Sequence, residues 1–327
     1  MRALHDRKLL VIIGNGFDLD LELKTSYKDF VISSTFEKYR AKSHLSTNSF
    51  AHLNLFDYLQ NQFDGNDKKW IDVEIELREF AKNVNLTEYD NKHQAIEYIK
   101  ESFDQLRASL CEYLSKINYS FINIHSAAIE TLKAVKRGRN CVIYNFNYTD
   151  IRHLDKYIGG TSLFTIHYIH GTLEEKSIVV GFENIPLRYP SLDFMIKYQC
   201  DNYNPPDDIR KDLEEAEEVL IFGHTLGCTD HSYFQEFFQR QLELKRDDRK
   251  KISIITFDAK SRRSVNREIN EMTNNNADML SINYIQTHGI TSKEEIHSFF
   301  ENLSKKISPN IDRSILTNIK PPTIISL

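Results

Sequence analysis

Five short polar motifs in this chain carry residue types suited to binding or proton transfer, and each follows an apolar run. They are Gly14-Asn15-Gly16-Phe17-Asp18, Asn145-Phe146-Asn147-Tyr148-Thr149-Asp150, His170-Gly171, Gly181-Phe182-Glu183-Asn184, and the stretch Gly223-His224-Thr225-Leu226-Gly227-Cys228-Thr229-Asp230. A strand that exits through Gly-x-Gly turns sharply and brings backbone N–H groups close to a phosphate. The third glycine of the dinucleotide fingerprint is absent, since Leu19 stands in its place. The carboxylate of Asp18 can accept from a ribose hydroxyl or an amide. Asn147 has both a donor and an acceptor, so it can orient a water or an amide; as a cap for the helix after Thr149 it would be structural. His170 titrates near neutral pH and can serve as a general base, with His224 a second candidate. His167 alternates within a strand and reads as structural. Asp230-His231 has the look of a metal pair, but Asp230 fits better as the N-cap of the next helix, and no metal site is expected.

These motifs need elements to hold them. Leu9–Ile13, Cys141–Tyr144, Leu163–Tyr168, Ser177–Val180, Glu218–Phe222, Ile252–Phe257 and Leu280–Ile285 read as buried strands of a mostly parallel sheet. Thr25 or Ser26 can cap a helix through Tyr27 and Phe30. Phe50 to about Val135 shows no strand. There Ile96, Ile99, Phe103, Leu106, Leu110 and Leu114 keep helical spacing, and no proline precedes Pro186. Trp70 and Glu74 are one helical turn apart, so a carboxylate can project over the pocket; a core Trp with a solvated Glu is the alternative. Residues 185–206 hold four of the seven prolines and read as a long functional loop. Further helices are expected around Phe234–Leu242, Val265–Met272 and Ile296–Ile307. The fold class is therefore α/β: a Rossmann-like, mostly parallel sheet with helices on both faces and a large all-helical insertion. Its units are residues 1–40 with 138–307, the insertion 41–137, and a tail, 308–327. In an open α/β sheet ligands bind outside the carboxyl ends of the strands, so motifs gathered there predict a nucleotide-type pocket.

Composition narrows the function classes. The chain has 327 residues, 40% hydrophobic and 27% charged, with a net charge of -5. That balance gives no general nucleic-acid surface. Its four cysteines, Cys111, Cys141, Cys200 and Cys228, are far apart with no CxxC pair, which fits a reducing cytoplasm. The first apolar run spans five residues, too short for a signal peptide or a membrane span.

Taken in order over roughly residues 8–300, GNGFDLDLELKTSYKDF, Trp70-x-Asp72-x-Glu74, YNFNYTD, IHG, GFEN and FGHTLGCTDHSYF resemble the bacteriophage abortive-infection AbiH family. The resemblance implies a prokaryotic anti-phage protein acting inside the infected cell. A weaker resemblance links the same motifs to sirtuin-like NAD-binding domains: Asn147-Tyr148 is similar to their catalytic Asn in a Thr-x-Asn-Tyr-Asp type strand end, and His170-Gly171 to their catalytic His-Gly. Two departures matter: Thr149 is inserted before Asp150, and the four-cysteine zinc module is absent. The likeness implies NAD as substrate, hydrolysed at the nicotinamide–ribose bond, with Asn147 and His170 catalytic. It implies that Gly14, Asn15 and Gly16 cradle the pyrophosphate, with Phe17, Asp18 and Tyr27 beside them. Gly223, His224 and Thr225, or Asp258, would meet the ribose. A metal-dependent nuclease and a non-catalytic nucleotide sensor acting through a partner are the alternatives, and a homo-oligomer or a defence-system partner is compatible with each.

Overall fold

The computed structural model describes residues 8–43, 50–66, 72–136, 140–160, 164–174, 177–200 and 203–288. The chain opens with β1 (Lys8–Ile13) and α1 (Asn15–Asp20), then a run of helices: α2 (Tyr27–Val31), α3 (Ser34–Ser43), α4 (Leu55–Gly65), α5 (Val73–Asn83), α6 (Lys92–Ser115) and α7 (Ala127–Lys136). Next come β2 (Asn140–Asn145), α8 (Asp155–Ile158), β3 (Phe164–Tyr168), and the short β4 (Gly171–Thr172) and β5 (Ser177–Ile178). The remainder is α9 (Asp207–Glu215), β6 (Glu218–Phe222), α10 (His231–Glu243), β7 (Lys251–Thr256), α11 (Ala259–Met272) and β8 (Ile282–Gln286).

Six strands form one sheet in the order β3-β2-β1-β6-β7-β8, every neighbouring pair parallel. This is an α/β, Rossmann-like arrangement. It follows from apolar runs without alternation, because a strand covered on both faces has no solvent side. In β1, Leu9, Val11 and Ile13 pack with α1 and α7, while Leu10 and Ile12 pack on the opposite face with α9 and α10. Register brings the strand ends level: Ile13 lies opposite both Asn145 and Phe222, Asn145 opposite Tyr168, and Phe222 opposite Ile255. The residues that follow these positions therefore share one edge.

The fourth expected strand is different. Only Ser177–Ile178 is extended, and it pairs antiparallel with β4 outside the main sheet. Gly181-Phe182-Glu183-Asn184 thus follows a hairpin, not a sheet strand, and Phe182 bridges to Ile196. The β1–β2 crossover builds a separate apolar cluster. Phe56, Leu59, Leu77, Ile99, Phe103 and Leu106 pack there with Ile178, Phe182, Met195 and Ile196 of the loop region. Phe30 and Phe36 belong to that cluster too, whereas α7 packs beneath the sheet, so the helical block gathers earlier residues than the patterning suggested. Ser26 caps α2, accepting from the Asp29 N–H. Among the described residues no helix is long and apolar enough to cross a membrane. Trp70, the helix expected around 296–307 and the tail lie outside the described residues.

Candidate functional site

The chain leaves β1 for β2 and β3 and later returns to lay β6 against β1, so the strand order reverses between β1 and β6. That is the switch point where open α/β sheets form a ligand crevice. Here the two turns touch. The Gly14 N–H donates to the Phe222 carbonyl at 3.0 Å and the Gly16 N–H to the Gly223 carbonyl at 2.8 Å. A Cβ on Gly14 would stand 2.5 Å from His224 Cα, and one on Gly16 would stand 2.6 Å from Gly223 Cα. The glycines therefore permit a backbone-to-backbone seam, and the amides of Gly14 and Gly16 are taken by protein carbonyls. Phe17 is a core residue and not a lining one: it is buried, with its ring edge-on to Phe222 at 5.3 Å. Gly223 has φ of 64°, and an added Cβ would lie 2.4 Å from the Gly16 carbonyl carbon. Gly223→Ala should lower unfolding free energy by about 2–3 kcal/mol, combining a disfavoured left-handed backbone with overpacking. Urea denaturation would check this, and a change under 0.5 kcal/mol, on the order of a surface substitution, would contradict the seam.

Asp18 ties this seam to the end of β2. Its Oδ2 accepts from the Thr149 hydroxyl at 2.7 Å, and the Asn147 amide also donates to the carboxyl. Burial pushes its pKa up to about 7 against those bonds. Asn147 does not cap a helix; its Nδ2 donates to the Gly14 carbonyl at 3.0 Å, while Asp150 caps the next turn by accepting from the Arg152 N–H. Asn15 accepts from the Thr25 hydroxyl at 2.7 Å. Asn147, Asp18, Gly14 and Thr149 thus form one network.

His170 lies in a second network beside the first. Its ring contacts Phe146 and Tyr148, the residues flanking Asn147. Nε2 stands 3.5 Å from Asp230 Oδ1, and Nδ1 stands 4.0 Å from Glu74 Oε1. Between the two carboxylates sits Lys197, only 2% exposed, with Nζ 2.8 Å from Asp230 Oδ1, 3.0 Å from Glu74 Oε2 and 3.2 Å from the Thr229 carbonyl. His224 approaches the other oxygen of Asp230, with Nε2 3.5 Å from Oδ2, while its Nδ1 accepts from the Leu226 N–H at 2.9 Å. Leu226 adopts φ of 55° to make that bond. Tyr27 and Tyr148 close the remaining side, hydrogen-bonded to each other, with Glu74 near both. Six segments supply these groups: the start of α2, the first turn of α5, the turn after β2, the turn after β3, the 185–206 loop and the turn after β6.

Electrostatics separates the roles. Burial, then the Lys197 ammonium, lowers His170 to about 4, so its imidazole is neutral at physiological pH. Burial raises Glu74 to about 7, with Lys197 opposing and Asp230 and Asp72 adding to the rise. Burial also works against the Asp230 carboxylate, but Lys197, His170 and His224 hold its pKa well below the usual range. An ionised Asp230 favours the His170 tautomer with its proton on Nε2, leaving the Nδ1 lone pair toward Glu74. Titratable groups driven apart in this way suit acid–base chemistry and also occur in structural ion-pair networks.

Asp230 holds the position of an N-cap for α10, but its side chain makes no capping bond and turns into the cluster. His231 turns away to Glu268 of α11 at 3.3 Å. His231, Glu268 and Glu271 bring ligand-type atoms within 4.8 Å of one another; Glu268 also pairs with Arg267, so ion pairing accounts for the group. Thr225 is exposed, and Asp258 caps α11 by accepting from the Ser261 N–H at 2.7 Å. Lys197 escaped the sequence reading. Its signal was a lysine embedded in Phe194-Met195-Ile196, within a loop otherwise read only for its prolines and aromatics.

No curated protein matches the chain. The family model described as "Bacteriophage abortive infection AbiH" matches residues 10–248, spanning nearly all of β1, the helical block, the 185–206 loop and β6, and so every residue of the two networks around Asp18 and His170. The chain belongs to the bacteriophage abortive infection AbiH family, and its role is that of a prokaryotic anti-phage protein.

Proposed function

We propose that this AbiH protein halts the infected cell by hydrolysing NAD at its nicotinamide–ribose bond, with His170 as general base. The observation that carries the reading is the buried neutral imidazole between two carboxylates at the carboxyl edge of a Rossmann-like sheet. The sirtuin-like order of Asn147 and His170 adds support. In this reading a water attacks the ribose C1′ and loses its proton to His170 Nδ1. The N-glycosidic electron pair passes to the nicotinamide ring nitrogen, which leaves neutral. Asp230 orients the ring and offsets the imidazolium that forms. Asn147, held by the Gly14 carbonyl, keeps an amide oxygen to orient the substrate.

Total NAD is to be measured in cells carrying wild-type protein, Asn147→Ala or His170→Ala, with and without phage. The expected result is a fall in NAD on infection with wild type, abolished by His170→Ala and reduced at least tenfold in rate, on the order of one lost catalytic contact, by Asn147→Ala. NAD that stays level while protection persists would remove the hydrolase reading.

A further inference from the structure

Asp72 and Glu74 stand at the start of α5. Asp72 caps α5, its Oδ1 accepting from the N–H groups of Glu74 and Ile75 at 3.0 and 3.2 Å. That fixes the first helical turn and delivers Glu74 to the cluster, 6% exposed. Its Oε2 takes the Lys197 ammonium, but its buried Oε1 has no hydrogen-bond partner among the described residues. The 4.0 Å separation of Oε1 from His170 Nδ1 is too wide for a direct hydrogen bond, so both atoms remain for an entering substrate oxygen to bridge.

The charges are also out of balance. Among the described residues, Asp72, Glu74 and Asp230 bring three carboxyl groups to this region, against one ammonium, Lys197, and a neutral His170. An ion pair that simply held two units together would need only one carboxylate for the lysine. Excess buried negative charge is costly until a positive charge arrives, and a preorganised carboxylate acts most strongly where charge develops during reaction.

We propose that Glu74, supplied by the helical block, is a catalytic carboxylate that stabilises the positive charge developing on a ribose ring as its N-glycosidic bond breaks. The Oε1–Nδ1 gap seats the attacking water or a ribose hydroxyl. The site is composite: neither the sheet edge nor the helical block holds it alone. This inference rests on the glycohydrolase reading and assigns the substrate class, a ribosyl compound with a leaving nitrogen.

Glu74→Gln keeps the size of the side chain and an oxygen for Lys197, and removes only the charge. Three quantities decide the matter: NAD turnover, melting temperature, and the pH dependence of turnover between pH 6 and 8. The expected result is turnover lowered at least about 100-fold, the scale of one lost electrostatic stabiliser, with an unchanged melting temperature. Wild-type turnover should rise with pH as Glu74 ionises among Lys197, Asp230, Asp72, His170, Tyr27 and Tyr148, and the Gln variant should lose that rise. Turnover within threefold of wild type would overturn the proposal. So would a melting temperature that falls in step with turnover, since Glu74 would then serve only to hold Lys197. A wild-type protein inert toward NAD, in infected cells as well, would be the failure of the hydrolase reading and would take this inference with it; an active wild type with an equally active Gln variant would be the failure of this inference alone.

Discussion

Lys197→Met should destabilise the protein by about 3–5 kcal/mol, the scale for breaking a buried ion pair on one side. Methionine fills the same volume, so the loss is electrostatic. Without the ammonium, the buried carboxylates of Glu74 and Asp230 face each other, each having lost its shortest contact. Glu74 would respond first, since burial already holds it near 7 and removal of the largest opposing influence drives it further up. Its protonation relieves the repulsion. The penalty should therefore be smaller at pH 6 than at pH 8, a sign opposite to that of a simple surface pair. Combining Lys197→Met with Glu74→Gln removes the second charge and should recover about 1–3 kcal/mol, the coupling of residues in one network. Urea denaturation at the two pH values tests both points. A single variant within 1 kcal/mol of wild type, on the order of a typical point mutation, would mean that Lys197 does not organise the cluster. The same substitution bears on function, because Lys197 joins the α5 carboxylate to the turn after β6.

Local patterns carried the sheet and missed the site's centre. β1, β2, β6 and β7 were legible because five or six apolar residues between polar ends have few other uses, and α6 because its apolar residues recur every three or four positions. Ser177–Ile178 misled because a short apolar stretch does not say what it pairs with; its partner is Gly171–Thr172, only a few residues back. His170, His224 and Asp230 were visible as polar residues after strands. Their relation was not, because it depends on Lys197, placed by the pairing of Phe182 with Ile196 and by the helical cluster behind it. Asp230 shows the limit most plainly. Its position satisfies the N-cap rule, but a buried ammonium 2.8 Å away outcompetes the helix amides for its side chain. Likewise Gly-x-Gly announced a close backbone approach correctly, but the approaching group is the Gly223–His224 turn of the protein itself.

The second large effect concerns Asp18, whose titration should make stability fall as pH rises. The carboxyl is 2% exposed and its pKa is raised from 3.8 to about 7, with burial the main cause. Below pH 4 the group is neutral in both folded and unfolded chains and contributes no pH dependence. Between pH 4 and 7 the unfolded chain ionises Asp18 while the folded chain keeps the proton, so stability falls across this window. Above pH 7 both forms are ionised and the full penalty persists, about 4 kcal/mol for a rise from 3.8 to about 7. Glu74, raised to about 7, works in the same direction, whereas His170, lowered to about 4, contributes stability that is lost as pH falls below about 6.5. A single stability curve therefore mixes opposite slopes. The difference between wild type and Asp18→Asn isolates one group, since Asn cannot titrate and can still accept from the Thr149 hydroxyl. That difference should shift against wild type by about 4 kcal/mol from pH 4 to pH 8. A flat difference would place the Asp18 ionisation in the ordinary carboxylate range. The seam between the Gly14–Gly16 turn and the end of β2 would then be held by a charged carboxylate, with Thr149 and Asn147 sufficient to solvate it.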